Sequence, residues 1–555
     1  MKKTQLAIME FLSNRTYYIL FFLLAIVYTA GLFVPLMDND SAHHAGIALH
    51  MYLTGDYTRL VDQTGNYLDK PHLLFWLAAF CYKIFGVTGF AYKFPSFLFT
   101  ILGTYSTYRL GKALYNKETG KLAALIIASS FAYILANNDV RMDAILTGSI
   151  AFATWQLVAF VQTKSLWNMA GAALGLALGF STKGHIAVFA PAAAILFYIL
   201  YRKEWKILLN WKWLLLVFLF AVFISPVVYA YYLQYNLHPE IVVRGKNNID
   251  GVQFILLKQS IERFGGEMGK TKTDYSFFIH SFLWAFAPWS IIAFIALFQR
   301  IKNFGRRKEE WLTAGGFTVV ILLLSFSGFK LPHYVNITFP LAAIMTAFLV
   351  LAVQSNLKWI SNLWRIQLIV SVLILLLVIF LNGWAFPVNQ PFTIAAILLF
   401  LIFSWFFIKK TAQGKWQRLV LIPALVMILS FFLLNTNFYP RLLQYQGGNE
   451  LAFATKGKVD PANVYFWKDH DSPSFLFYTA SIRKEFADSV LPASKKIWLL
   501  TDETKLPEIK EQGYQLGAMF SSLDYPITKL KLNFVNPATR EKKCSRMVLV
   551  QVSKE

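Results

Sequence analysis

The sequence predicts an α-helical polytopic membrane protein that ends in a small soluble α/β domain. Three observations carry that expectation. The 555 residues are 56% hydrophobic and only 15% charged, far from the balance of a soluble domain. Apolar runs of roughly 20 residues, each long enough to cross a bilayer core, recur from Tyr17 to Leu434. They are continuous rather than alternating, which excludes a β-barrel. From Tyr439 onward the runs stop, and short β-rich pieces alternate with charged or Gly/Pro turns.

The formal net charge of +23 suits Lys and Arg in orienting loops and contacts with anionic headgroups or a phosphorylated ligand. No soluble face interleaves aromatic and basic residues, so a nucleic-acid partner is excluded. Two cysteines, Cys81 and Cys544, make no disulfide framework. The first apolar segment is too long for a signal-peptide core and lacks a small-residue cleavage site, so it is expected to remain as a span.

Positive charge sets the expected topology. Lys2, Lys3 and Arg15 hold the N-terminus in the cytoplasm, and Tyr17–Leu36 exits into a polar loop from Asp38 to Lys70. Leu73–Phe85 is too short to span and reads as a juxtamembrane or re-entrant helix. Tyr92–Leu110 returns to Arg109, Lys112, Lys117 and Lys121. Leu122–Ala136, Ala144–Val161, Trp167–Phe180, Ile186–Leu200 and Trp211–Tyr232 then alternate, the last exiting into a long loop from Gln234 to Asp274. Phe277–Leu297 returns to Arg300, Lys302, Arg306, Arg307 and Lys308, the strongest inside signal. Trp311–Phe326, Val335–Val353, Leu368–Trp384, Phe392–Phe407 and Val420–Leu434 complete about 13 spans, an odd number that leaves the C-terminal part outside.

In that C-terminal part, strands are expected at Val464–Phe466, Phe475–Tyr478, Ile497–Leu500 and Met547–Val550. Helices are expected at Ser481–Asp488 and Leu506–Gln512. The domains divide as 1–438, transmembrane with outer loops 37–72 and 234–275, and 439–555, soluble and extracytoplasmic.

This topology gathers Asp40, Asp69, Lys70, Asp139, Arg141, Asp143, Lys183, His185, Arg263, Lys330 and His333 at the outer membrane edge, while the cytoplasmic loops are short and basic. Charge at membrane depth is costly and marks function. Acids and bases collected on one side suit an enzyme whose site faces outward and whose substrate lies in the bilayer.

Seven ordered stretches resemble the GT-C superfamily of membrane glycosyltransferases, in the branch of the lipid A aminoarabinose transferase and the protein O-mannosyltransferases. Asp40 stands where the family's first-loop Asp-Glu pair begins. Tyr67-Leu68-Asp69-Lys70-Pro71 with Leu74-Phe75-Trp76-Leu77 is similar to Tyr-x-Glu-Lys-Pro-Pro-Leu-x-Tyr-Trp. Arg141 and Asp143 open a later span. Ser181-Thr182-Lys183-Gly184, Glu262-Arg263-Phe264, Pro288-Trp289-Ser290 and Lys330-Leu331-Pro332-His333-Tyr334 follow in order. The sequence departs from the pattern at Ser41 for the second acid, at Asp69 for Glu and at His72 for the second Pro.

The resemblance implies a GT-C fold and transfer of a sugar from a polyprenyl-phosphate carrier, by inverting single displacement, to lipid A or another envelope glycolipid outside the bacterial inner membrane. Protein O-mannosyl transfer is the alternative. From another class, a lipid-linked sugar flippase would carry charges at mid-span and inverted repeats; the spans are almost free of such charges, and no repeat is found. The leaving group is a phosphomonoester anion, which cations stabilise as the bond breaks. Lys70, Lys183, Arg263 and Lys330 are the candidates for it, with snorkelling to headgroups the simpler role. Asp40 is the expected base or orienting group for the acceptor, or a helix cap before Ala42–Leu53. Asp143 would bond sugar or acceptor, or pair with Arg141. Tyr67, Asp69, Arg141, His333 and Tyr334 complete the substrate-binding set. Asp40, His43 and His44 offer oxygen and imidazole to a divalent metal, but helical neighbours point apart. The sequence assigns no cofactor and leaves a divalent metal open.

Overall fold

The computed structural model describes residues 11–38, 40–266, 274–303, 310–412, 414–468, 470–487 and 496–554. Five of the topology-setting charges, Lys2, Lys3, Arg306, Arg307 and Lys308, lie outside the described residues. The first helix, α1 (Asn14–Leu32), starts where Ser13 Oγ accepts the Thr16 amide at 3.2 Å. The polar loop that follows is itself structured. It forms α2 (Asp40–Thr54), then a two-residue-strand hairpin, β1 (Val61–Asp62) and β2 (Gly65–Asn66). The short helix α3 (Leu73–Phe85) has the bounds the sequence predicts.

The helices α4 (Gly89–Leu114) and α7 (Asp143–Thr163) cross where both backbones lack side chains. A Cβ on Gly103 would sit 3.1 Å from Gly148 Cα and 2.6 Å from Tyr133 Oη, so small residues set this approach. Helices α8 (Leu166–Lys183) and α9 (Ile186–Arg202) pack against α7, α10 (Lys212–Tyr231) packs against α8, and Asp143 and Lys183 fall at helix ends on one level of the bundle.

Two expected spans are broken. Leu122–Ala136 divides into α5 (Lys117–Ala128) and α6 (Phe131–Asn138), bent by 53°. Ser129 and Ser130 return their hydroxyls to the Leu125 and Ile127 carbonyls at 2.7 and 2.8 Å, which ends the helix. Phe277–Leu297 divides into Phe277–Ala285 and Ser290–Lys302 around Pro288, which supplies no amide. The two breaks dock: the Phe131 amide donates to Ala287 O at 2.9 Å and Trp289 Nε1 to Ser129 Oγ at 3.1 Å.

Every apolar segment behind the expected count is helical over most of its length. Among the described residues, however, seven helices are long and apolar enough to cross a membrane, or eight if α5 and α6 form one span. The exact figure of 13 is not established. Leu73–Phe85, Ile186–Arg202 and Leu312–Phe326 are apolar but short.

The last long helical stretch runs from Lys415 to Tyr445 and leads into a four-stranded sheet. Its order is β3 (Val464–Phe466), β4 (Ile497–Asp502), β6 (Ser545–Lys554), β5 (Tyr514–Asp524), with β3 parallel to β4 and the other pairs antiparallel. Two expectations fail here. Phe475–Tyr478 is part of a helix, Pro473–Tyr478, because Ser472 Oγ caps the Phe475 amide and Pro473 opens the first turn. The described part of Ser481–Asp488 is not helical; Lys484 and Phe486 bond to the free edge of Phe466 instead. Leu506–Glu511 is helical as expected.

This sheet domain holds the first loop. Gln446 and Asn449 donate to Leu36 O, the Leu36 amide donates to Tyr478 Oη at 2.8 Å, and the Ser474 amide donates to Asp38 Oδ1 at 3.0 Å.

Candidate active site

The polar loop, the ends of α7 and α8 and the two later loops enclose a cavity of about 190 Å³. Asp40, His43, His44, Tyr67, Asp69, Lys70, Arg141, Asp143, Lys183, Arg263, His333 and Tyr334 line it, together with Met142, Phe329 and Leu331. Of the residues named for donor, acceptor or metal, Lys330 is missing from this wall, and Asp139 and His185, expected at the same outer edge, also lie outside it. The Lys330 side chain turns away, and Nζ lies 5.7 Å from the Tyr275 ring centroid.

The loop is placed from α10 and from Gln259–Gly265. At the end of α10, buried Gln234 exchanges bonds with Leu60, accepting its amide at 3.0 Å and donating to its carbonyl at 2.9 Å. Tyr235 Oη donates to Tyr67 O at 2.8 Å. Gln259 Nε2 and Arg263 Nη2 both donate to Asp69 O at 2.8 Å. The Asp69 carboxylate pairs with Arg244, which also reaches Glu262. His72, at the family's second proline position, is fully buried, bonds Thr58 O at 3.0 Å and packs on Trp76 and Tyr231. It holds the turn that presents Lys70.

The charges pair differently from the sequence expectation. Arg141 does not pair with Asp143; it joins Asp40 (2.9 Å) and Asp139 (3.0 Å). Asp143 instead meets Lys183 at 3.0 Å and lies 3.6 Å from His333 Nε2. Lys183 also stands 4.1 Å from the Tyr334 ring centroid. Thus each of the cavity's three carboxylates, Asp40, Asp69 and Asp143, already has a cation.

Two cations are left over. Among the described residues Lys70 has no ion-pair or hydrogen-bond partner. Burial, with Arg263 and Lys183 nearby, pushes its ammonium well below the usual lysine range. Arg263 bonds a carbonyl, and its buried Nε has no acceptor. A buried donor without a partner is costly, and a site with surplus positive charge is completed by an anion.

His43 and His44 both line the cavity, their ring centroids 5.7 Å apart. His43 bonds Asp62. Burial first, then the neighbouring His43 and Lys70, hold His44 well below its ordinary value. Among the described residues no group of three or more His, Cys, Asp or Glu side chains is arranged to hold a metal ion.

Lys183, Arg263, Phe329 and Tyr334 are shared with a second, larger cavity of about 500 Å³. Its remaining wall is mostly apolar, with Leu146, Ile186, Phe189, Leu323, Leu324 and Ile337, and exposed Ile261 and Phe264 stand at its rim. A polar pocket therefore adjoins an apolar one across one row of cations and aromatics.

Arg244, Gln234, Gln259 and Asp62 were not legible as site residues. They are single polar residues in loops or at helix ends, and only the folded contacts connect them to Asp69, Leu60 and His43.

A family model described as dolichyl-phosphate-mannose-protein mannosyltransferase matches residues 69–229. An uncharacterized protein of Aquifex aeolicus is 26% identical over 79% of this chain and 80% of its own length. The undecaprenyl phosphate-alpha-4-amino-4-deoxy-L-arabinose arabinosyl transferase 2 of Proteus mirabilis is 26% identical over 61% of this chain; the match spans 60% of that enzyme's length. The crystal structure of ArnT from Cupriavidus metallidurans bound to undecaprenyl phosphate superposes with a TM-score of 0.73 at 14% identity, covering 96% of this chain and 97% of that one. The fold is therefore that of the Cupriavidus metallidurans structure.

Proposed function

From a GT-C fold and an aminoarabinose-transferase-like sequence, we propose that this multi-span membrane protein is a glycosyltransferase that takes its sugar from a polyprenyl-phosphate carrier. One observation carries the proposal: the polar cavity holds two surplus cations, Lys70 and Arg263, and Arg263 also lines the apolar cavity that adjoins it. A lipid phosphate matches both halves, with its anion on the cations and its chain among Phe189, Phe264 and Leu324.

In this mechanism Lys70 and Arg263 hold the donor phosphate and stabilise the charge that grows on it as the glycosidic bond breaks. Lys183, tied to Asp143, presents a fixed positive field rather than a free ligand. Asp40 is anchored by Arg141 at the first turn of α2 and orients the acceptor opposite the phosphate. Asp143, with His333 beside it, bonds the sugar, and Tyr67, Asp69 and Tyr334 shape the pocket. Displacement in one step inverts the anomeric centre.

We place the cavity on the outer face of a bacterial inner membrane, with the N-terminus cytoplasmic, residues 1–438 as the transferase and 439–555 as an extracytoplasmic domain. The acceptor is lipid A or another envelope glycolipid. Mass spectrometry of envelope lipids from cells with and without the gene tests this: loss of one glycosylated lipid supports the proposal. An unchanged lipid profile with loss of sugar from envelope proteins would redirect it to protein glycosylation, and no change in either would refute it.

A further inference from the structure

One residue of the cavity wall, His43, is paired with an aspartate, Asp62, and neither has a part in the transfer described so far. His43 follows Asp40 by three residues on α2, a spacing that puts both on one helix face, and both line the cavity. His43 Nε2 lies 3.1 Å from Asp62 Oδ2. Asp62 ends β1 and is itself fixed, since the Thr64 amide and Oγ1 both donate to its Oδ1 at 2.7 Å. Only Oδ2 is left for the imidazole.

Burial alone would raise the Asp62 carboxyl; the bonds from His43 and Thr64 outweigh it and hold the group below its ordinary value. An ionised carboxylate on Nε2 keeps the ring proton there and leaves the lone pair on Nδ1. Among the described residues Nδ1 has no bonding partner, and the side chain keeps 27% of its accessibility. The ring is braced edge-on by Tyr67 at 5.4 Å. Asp40, by contrast, has Oδ2 committed to Arg141.

We infer that His43 is the general base of the transfer, and that the attacking atom is a neutral hydroxyl of the glycolipid rather than a phosphate oxygen; this rests on the glycosyl transfer proposed above. The hydroxyl oxygen forms a bond to the anomeric carbon as the carbon–oxygen bond to the carrier phosphate breaks. That bond's electron pair leaves on the polyprenyl phosphate. The hydroxyl proton passes to His43 Nδ1, and Asp62 stabilises the imidazolium until water takes the proton. A phosphate acceptor arrives already ionised and has no use for such a base. A hydroxyl does, and the gain is about 10²- to 10⁴-fold in rate. Asp62 is a positioning residue.

The test uses the full chain in liposomes made from the bacterium's total envelope lipid extract, with a panel of undecaprenyl-phosphate sugars. Product linkage and released undecaprenyl phosphate are read by mass spectrometry. The sugar is expected on a hydroxyl. His43→Gln is expected to lower kcat by about 100-fold or more with donor KM within about threefold, and added azide, a nucleophile with no proton to lose, is expected to restore donor cleavage. Asp62→Asn should lower kcat with KM unchanged, and Asp62→Glu should recover part of it. Sugar found on a phosphate, full activity in His43→Gln, or a loss that azide does not relieve would each overturn the assignment while leaving glycosyl transfer intact. Absence of any transfer by the wild-type chain would instead refute the glycosyltransferase proposal, and the assignment with it.

Discussion

Lys183 Nζ lies 3.0 Å from Asp143 Oδ1, and the side chains keep only 9% and 4% of their accessibility. They come from the C-terminal end of α8 and the first residue of α7, so one ion pair locks two helix ends at the floor of the cavity. Removing one partner strands a buried charge, at a cost of about 3–5 kcal/mol. Asp143→Ala is therefore expected to lower the melting temperature in detergent sharply. Asp143→Leu combined with Lys183→Met should be less destabilised than either single change, because no unpaired charge remains. Activity should be lost in every one of these variants.

Asp40 is held 2.9 Å from Arg141 and remains half accessible. Asp40→Asn is expected to lower turnover at least tenfold while leaving the affinity for undecaprenyl phosphate within about threefold. Steady-state kinetics beside a donor-binding titration separate the two effects, and a loss confined to donor affinity would remove Asp40 from the reacting centre.

Lys70 gives the donor site its own pH dependence. Its ammonium sits well below the usual lysine range, first through burial and then through Arg263 and Lys183. A bound phosphate favours the charged form and raises it again. Below the free-site value the amine is protonated with or without ligand, and affinity does not change with pH. Above it, binding takes up a proton, so affinity falls as pH rises, by up to about tenfold per unit. Lys70→Arg, always charged, should abolish that decline. Titrations of undecaprenyl phosphate against pH, wild type beside Lys70→Arg, would show it.

Asp38 links stability to pH at the contact between the first loop and the sheet domain. Burial pushes its carboxyl up to about 7, opposed by bonds from Ser474 and reinforced by Asp471 and Asp524. The folded chain keeps this proton up to about pH 7, whereas an unfolded chain loses it near 3.8. Stability from this group is thus full at low pH, falls as pH rises between those values and is level above them. Melting temperatures across that window should fall more steeply for the wild type than for Asp38→Asn.

The elements that bury a single apolar face were plain in the sequence. The helix Leu73–Phe85 and the helical nature of the long apolar segments follow from run length alone. The breaks at Ser129-Ser130 and Pro288 were hidden because apolar sequence continues across them, and the break is made by hydroxyls bonding backwards and by a missing amide. In the C-terminal domain, Phe475–Tyr478 has strand-forming side chains, but the Ser472-Pro473 start decides for a helix. The strand β5 went unseen because Gly517 and the Ser521-Ser522 pair interrupt its alternation, and its register shifts between Leu516 and Met519. The cavity wall was largely legible through motif residues that the fold brings together from distant positions. The pairing was not, since whether Asp143 meets Arg141 or Lys183 depends on how α7 and α8 end beside each other. Arg244 carried no signal at all, being a lone cation in a loop.

The most direct measurement is the affinity of the purified protein in lipid nanodiscs for undecaprenyl phosphate, wild type against Lys70→Ala. Loss of one charge-assisted bond of about 1.5–3 kcal/mol corresponds to roughly 10- to 100-fold weaker binding, and the melting temperature without ligand should not fall. Equal affinity in the two proteins, with both folded, would contradict a donor phosphate at Lys70.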